Sequence, residues 1–177
     1  MESKSGVTYK GFLFKSQVVA LKKLKGEAAL RVLEERFGPL DFNGFKDYPA
    51  EDAIRMQTII GEILYGKMND ENWCKIGELI FNTFAYSEVG KTTLKLFGKL
   101  ENNIPRLPNI LQTISKGFTC AVEKIGENQY DISITGEPHN PGHYNGIFLG
   151  AIRYFGFEPT VTVTVRDTTQ VFHVTWK

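Results

Sequence analysis

The chain has 177 residues, 42% of them hydrophobic, and a formal charge of +1. That length suits one domain with a sizeable core, and the balanced charge gives no general pull toward nucleic acid or an anionic membrane. No apolar run approaches the roughly 20 residues of a membrane span, Met1 to Ser5 opens no signal peptide, and Cys74 and Cys120 make no disulfide framework. A cytoplasmic protein with reduced thiols, no nucleic-acid partner and no membrane insertion is expected.

Tyr9 to Phe14 is a short apolar stretch, an edge strand or an ordered lead-in. Ser16 is placed to cap a first helix that carries Val18, Val19, Leu21 and Leu24 and ends at Gly26. Its Lys22, Lys23 and Lys25 read as a solvated face. Glu27 to Phe37 continues helical, with Leu30, Val32, Leu33 and Phe37 inward, and stops at Gly38-Pro39. Leu40 to Tyr48 is expected to be a loop. Pro49, followed by Glu51 and Asp52, opens a third helix, because the helix dipole favours acids in the first turn. Ile54, Ile59, Ile60, Ile63 and Leu64 form its apolar side, and Gly66 ends it. Asn69 or Asp70 caps the next helix, in which Trp73, Ile76, Ile80 and Phe84 recur at helical spacing. Glu88 to Leu100 is helical again, with Val89, Leu94, Phe97 and Leu100 inward. Pro105 and Pro108 mark an irregular link into Ile110 to Ile114.

From Phe118 the hydrophobic period becomes two. Phe118, Cys120 and Val122 alternate with Thr119, Ala121 and Glu123, and a turn at Gly126 to Asn128 returns through Tyr130, Ile132 and Ile134. Asn140 then caps a helix with Pro141 at its first position. Gly156 and Pro159 end that helix. Tyr144, Ile147, Phe148, Leu149, Ala151, Ile152 and Phe155 leave it little polar surface, so it is buried on most sides. Gly146 and Gly150, one turn apart, let another backbone or a ligand come close. Val161, Val163 and Val165 alternate with threonines, and a turn at Asp167 returns through Val171, Phe172, Val174 and Trp176. The predicted fold is α+β, with N-terminal helices packed on a four-stranded antiparallel sheet built as hairpin-helix-hairpin. One ligand-binding-type domain is expected over 1–177, helical over about 16–115 and sheet-rich over about 117–177.

Candidate chemistry is sparse. Gly90-Lys91-Thr92 matches the end of a phosphate loop, but Ala85 stands where the first glycine belongs and an amphipathic helix precedes it. Gly90 reads more simply as a break between helices. His139 and His143 are four apart, as metal ligands on one helix face are, with Glu137 or Cys120 able to add a third. If Asn140 is the cap, however, His139 lies outside the helix and the spacing loses its meaning, so no metal is expected. His173 alternates with Phe172 and Val174 on the less buried sheet face. Cys74 reads as a small buried residue. No nucleophile motif surrounds any Ser, Cys, Asp or His.

Phe81, Phe84, Leu94, Phe97, Phe148 and Ile152 either form core or line an apolar pocket. The expected pocket lies between the Trp73–Phe84 helix, the Val89–Leu100 helix and the Phe148–Ile152 face. The Gly146/Gly150 pair would thin its wall, and Tyr144 and Arg153 would anchor a ligand head, the arginine holding a carboxylate through two hydrogen bonds.

Gly61-Glu-Ile-Leu-Tyr-Gly66, Trp73-Cys-Lys-Ile-Gly77 with Phe81 and Phe84, and Gly90-Lys91 resemble the middle of an uncharacterised bacterial domain family with myxobacterial paralogues. His143-Tyr-Asn-Gly-Ile-Phe-Leu-Gly-Ala-Ile-Arg153 and Phe172-His-Val-Thr-Trp176 resemble its C-terminal half. The glycine-bearing helix before an alternating strand is similar to a wider group: trafficking-particle (TRAPP) subunits, the four-vinyl-reductase domain and haem nitric-oxide/oxygen-binding domains. The resemblance implies a ligand-binding α+β fold, not a reaction. The haem domains carry a proximal histidine on a helix and a Tyr-x-Ser-x-Arg triplet, whereas this chain has no histidine before His139 and no such triplet. The acylated trafficking subunits carry a cysteine where this chain reads Glu88-Val-Gly-Lys-Thr-Thr93. No cofactor is expected. The expected function is non-catalytic, a small-molecule-sensing or interaction module working through a partner protein or as a homodimer. The alternative is an enzyme or enzyme accessory acting on a tetrapyrrole or similar apolar molecule.

Overall fold

The structure, a computed structural model, describes residues 4–177, without the side chains of Val89, Leu96 and Phe97. The chain runs β1 (Thr8–Lys10), α1 (Gly11–Phe37), β2 (Asp47–Pro49), α2 (Ala50–Tyr65), α3 (Asp70–Ala85), α4 (Glu88–Phe97), α5 (Leu100–Asn103), a single 3₁₀ turn (Ile104–Arg106) and α6 (Leu107–Ile114). It continues through β3 (Ser115–Lys116), β4 (Thr119–Gly126), β5 (Gln129–Thr135), α7 (Pro141–Tyr154), β6 (Pro159–Arg166) and β7 (Thr169–Trp176). The α+β class and the four-stranded antiparallel sheet match the sequence reading. The strand order is β4-β5-β7-β6, so each hairpin contributes one central strand. Ile132 stands opposite Phe172 and Tyr130 opposite Val174. These inner-face residues are buried with Trp176 against Tyr144, Phe148 and Ile152 of α7.

The helix caps follow the sequence where a polar residue can do the work. The Asn69 side chain accepts from the Asn72 amide at 2.8 Å, and that of Asn140 accepts from Gly142 at 2.8 Å. Gly66 closes α2 in the left-handed conformation.

Several boundaries moved. The first helix starts at Gly11, not Ser16. The Ser16 hydroxyl, already inside the helix, donates to the Leu13 carbonyl at 2.8 Å. Gly26, at φ 75° and ψ −171°, is non-helical and divides α1 at a kink, where the sequence reading ends the first helix. Tyr9 is not in an edge strand: β1 is the middle of a second antiparallel sheet, ordered β2-β1-β3. Tyr9 stands opposite Tyr48, and Thr8 opposite Lys116. The expected loop over 40–48 thus ends in a strand. Strands of two and three residues are too short to show a period, so the sequence could not announce this sheet. Gly90 is not a break either. It lies within α4, capped by Ser87, where a Cβ would stand 1.8 Å from the Phe84 carbonyl oxygen. The inward placement expected of Val89 and Phe97 falls outside the described residues.

The backbones of α3 and α7 approach each other closely. A Cβ on Gly77 would stand 1.9 Å from the His143 carbonyl oxygen, and one on Gly146 would stand 1.9 Å from that of Cys74. The glycine face of α7 therefore receives a helix backbone, not a ligand. It leaves α7 between α3 on one side and the sheet on the other.

Candidate functional site

Turning its glycines toward α3 leaves α7 a different apolar face, Ile147, Phe148, Ala151, Ile152 and Phe155. This face borders a cavity of about 390 Å³. The opposite wall comes from Ile80, Phe81 and Phe84 of α3, and Phe12 and Leu13 at the start of α1 also reach it. Ile132 and Val174 of the sheet form the floor. Leu94 of α4 and the irregular stretch from Leu100 to Ile114 complete it. The prolines in that stretch explain the space. Pro105 and Pro108 break one long helix into α5, a 3₁₀ turn and α6, so no continuous side-chain ridge fills the groove over α7.

The described lining holds no charged side chain and three polar ones, Thr93, Asn103 and Thr113. The Thr113 hydroxyl donates to the Ile110 carbonyl at 2.7 Å. Asn103 is 8% exposed, and its Nδ2 donates to the Lys99 carbonyl at 2.8 Å. That bond fixes which end of the amide is which, since the reverse orientation would set oxygen against oxygen. Its Oδ1 is buried with no hydrogen-bond partner.

Of the residues singled out in the sequence, Phe84, Phe148 and Ile152 line this cavity. The Phe97 side chain lies outside the described residues. The two expected anchors are elsewhere. Arg153 is half exposed beyond the cavity, where its Nη1 donates to Glu78 Oε1 at 2.7 Å. Tyr144 is buried and turned away, its hydroxyl donating to Glu137 Oε2 at 3.1 Å. Helical spacing put both on the cavity helix, but α7 has three occupied faces and each residue falls on another one.

Tyr144 belongs to a polar cluster that the sequence did not reveal. Glu137, with no exposed side-chain surface, accepts from the Tyr9 and Tyr144 hydroxyls and from the His139 amide at 3.1 Å. His139 Nδ1 lies 2.7 Å from Glu137 Oε1. Burial alone would push the Glu137 carboxyl up; hydrogen bonds from His139 and Tyr9 outweigh it and hold the group below its ordinary value. Burial first, with the Glu137 carboxylate adding, raises Tyr9 and Tyr144 well above the usual phenol range. His143 stacks on His139 at 4.3 Å between centroids. Burial, with His139 adding, holds it well below the usual imidazole value. Glu137 and His139 do meet, but as an acid–imidazole pair. Among the described residues no group of three His, Cys, Asp or Glu could hold a metal ion. His173 sits on the open sheet face, 2.7 Å from Asp131. Cys74 is half-buried, not fully buried as expected, and Cys120 has its thiol pushed up to about 11 by burial.

A family model described as a protein of unknown function, DUF2378, matches residues 4–177. The chain belongs to the DUF2378 family. No curated protein matches it. Among solved structures, this DUF2378 chain is similar to an H-NOX protein from S. oneidensis in its Fe(II)NO ligation state, with 12% identity, a TM-score of 0.78, and 95% and 99% of the two chains covered. It is also similar to an oxygen-binding H-NOX domain related to soluble guanylate cyclases, at 17% identity, TM-score 0.73 and 95% coverage of both chains. A third similar structure comes from work on haem redox potential and porphyrin distortion, at 16% identity, TM-score 0.74 and 95% coverage of both chains. At these identities the likeness is one of fold. No helix among the described residues is long and apolar enough to cross a membrane.

Proposed function

We propose that residues 4–177 act as one non-catalytic, small-molecule-sensing unit whose ligand is an apolar molecule held in the α3–α7 cavity. The observation that carries this reading is the cavity itself: about 390 Å³, walled by helices and floored by the sheet, with apolar side chains nearly throughout. That size and lining are those of small-molecule sites. The H-NOX likeness supports it, since several of the similar structures are described by a bound gas or by haem.

The residues present do not fit haem. An iron porphyrin needs an axial His, Cys, Met or Tyr, and the described lining contains none. His139 and His143 are committed to the Glu137 cluster, and His173 is on the outer sheet face. Nor does the described lining hold a cation to pair with tetrapyrrole carboxylates, which weighs against the tetrapyrrole alternative. Turnover would need titratable groups converging on the ligand, and the described lining offers none; sensing needs only differential binding, read by a protein partner or a second copy.

The test is a titration with N-phenyl-1-naphthylamine, a neutral apolar fluorophore, alongside native mass spectrometry of the purified protein for co-purified ligand and subunit count. The parent is expected to bind saturably, and Phe148→Trp, which fills cavity space, to weaken binding roughly tenfold. Absence of saturable binding in the parent would overturn the reading.

A further inference from the structure

We infer that two copies of this chain pair through the open edge of β6, antiparallel about a two-fold axis at Thr162, so that their four-stranded sheets join into one. The inference does not rest on the cavity reading. It names a surface, its partner and the register between them.

The large sheet has two edges, β4 and β6, and they are finished differently. β4 carries Glu123 and Lys124, a register break between Lys124 and Gly126, and α6 packed beside it. Charge, a bulge and a neighbouring helix are means by which an edge strand is kept from pairing. β6 has none of them. Its register with β7 runs unbroken from Pro159 opposite Trp176 to Arg166 opposite Thr169. Between those ends it is an uncharged alternation of threonine and valine. Among the described residues its only strand neighbour is β7. Glu158 and Lys177 exchange backbone hydrogen bonds at 3.1 and 3.2 Å. The even-numbered residues of β6 therefore turn their N–H and C=O groups toward β7, and Val161, Val163 and Val165 turn theirs to the open edge. Such an edge adds a further strand through its main chain.

The strand is complementary to itself in one register. With Thr162 opposite Thr162 of the second copy, Thr160 meets Thr164 and Glu158 meets Arg166 on the exposed face. On the inner face Val161 meets Val163, and Pro159 meets Val165, which is 53% exposed in the single chain. Val161 and Val163 of the second copy then exchange backbone hydrogen bonds. Glu158 and Arg166 are both exposed, and among the described residues neither has an ion-pair partner. The pairing supplies one to each, repeated at both ends by the two-fold symmetry. They fall in a non-hydrogen-bonded pair, where cross-strand side chains come closest. A shift of two residues either way loses both charge pairs, and a shift of one sets valines against threonines. Because the strand answers its own charges, a second copy fits this edge better than an unrelated strand.

The test is sedimentation velocity of the full chain. Strand pairing alone is a small interface, so a dissociation constant on the order of 10–100 µM is expected, read over about 1 to 500 µM protein. Val163→Pro removes an outward N–H and sets its ring against the second copy, while the bonds to β7 stay. It is expected to abolish the dimer. Glu158→Arg and Arg166→Glu each bring like charges together at both ends, and each should weaken association about tenfold at low salt. Mixing those two variants restores opposite charges at both ends of a mixed pair, and association should return to the parent's level. A parent that stays monomeric throughout overturns the inference and leaves the edge to an extended strand of a different protein. A dimer left intact by Val163→Pro, with its fold verified by far-UV circular dichroism, lies on another face and overturns it as well. Charge variants that associate like the parent, or a mixture that fails to recover, overturn the register. Should Val163→Pro fail to fold, the charge variants, at exposed positions, carry the test alone.

Discussion

At the residue scale, the informative side chains are the buried polar ones. Burial disfavours the protonated form of His143, so its imidazole stays neutral inside the fold. The unfolded chain has no such constraint and takes up a proton below about pH 6.5. The unfolded state then binds the extra proton, and stability falls as pH falls from about 6.5 toward the depressed folded value. One proton gives a slope of at most about 1.4 kcal/mol per pH unit. Melting temperatures between pH 7 and 5 should therefore drop in the parent and drop less in His143→Phe; equal slopes would mean that His143 is protonated in the fold. Glu137 acts in a lower window. Its folded value lies below its ordinary one, so its contribution is present above about pH 4.3 and is lost only as pH falls below that.

At the element scale, the packing of α3 on α7 is the contact that places the cavity. It brings two helix backbones together through Gly77 and Gly146, each facing a carbonyl oxygen of the other helix. A carbonyl on a hydrogen-bonded helix cannot swing aside as a side chain can. Gly146→Ala should therefore cost about 1–3 kcal/mol or more, as the helices are forced apart. Gly150 meets only the Glu78 and Phe81 side chains, at 3.3 Å, which can shift by a few tenths of an ångström. Gly150→Ala should cost under about 1 kcal/mol, since side chains adjust where backbone does not. Chemical denaturation of both variants checks this; equal losses would show that α3 and α7 can slide on one another.

At the scale of the whole molecule, two apolar cores must hold together. One, around Phe14, Leu33 and Met56, belongs to the N-terminal helices; the other lies between α7 and the four-stranded sheet. Tyr9 belongs to the first by its ring, and its hydroxyl joins Glu137 and Tyr144 beside the second. Tyr9→Phe removes a donor from a buried carboxylate and should destabilise by about 1–3 kcal/mol. The link predicts one cooperative transition, with far-UV ellipticity and tryptophan fluorescence shifting together. Two separated transitions in the parent would show that the cores melt independently.

What the sequence determined by itself is what local periodicity and capping chemistry encode. The four long strands alternate because one face meets the core, and Asn69, Asn140 and Gly66 end helices through groups that act within a few residues. Phe84, Phe148 and Ile152 were readable as apolar helix positions bordering a shared space. Tertiary structure decided the rest, because pairing across long separations leaves no local trace. Ser115 and Tyr48 meet Tyr9 only in the assembled small sheet. Glu137 and Tyr9 are 128 positions apart. Tyr144 and Arg153 share α7 with the cavity, yet point to a buried carboxylate and to Glu78, because three neighbours divide the surface of that one helix. Asn103 carries no signal in the sequence, where a polar residue two positions before Pro105 reads as part of an irregular link. Only the folded chain shows that the residue borders the cavity and that its amide oxygen is buried without a hydrogen-bond partner.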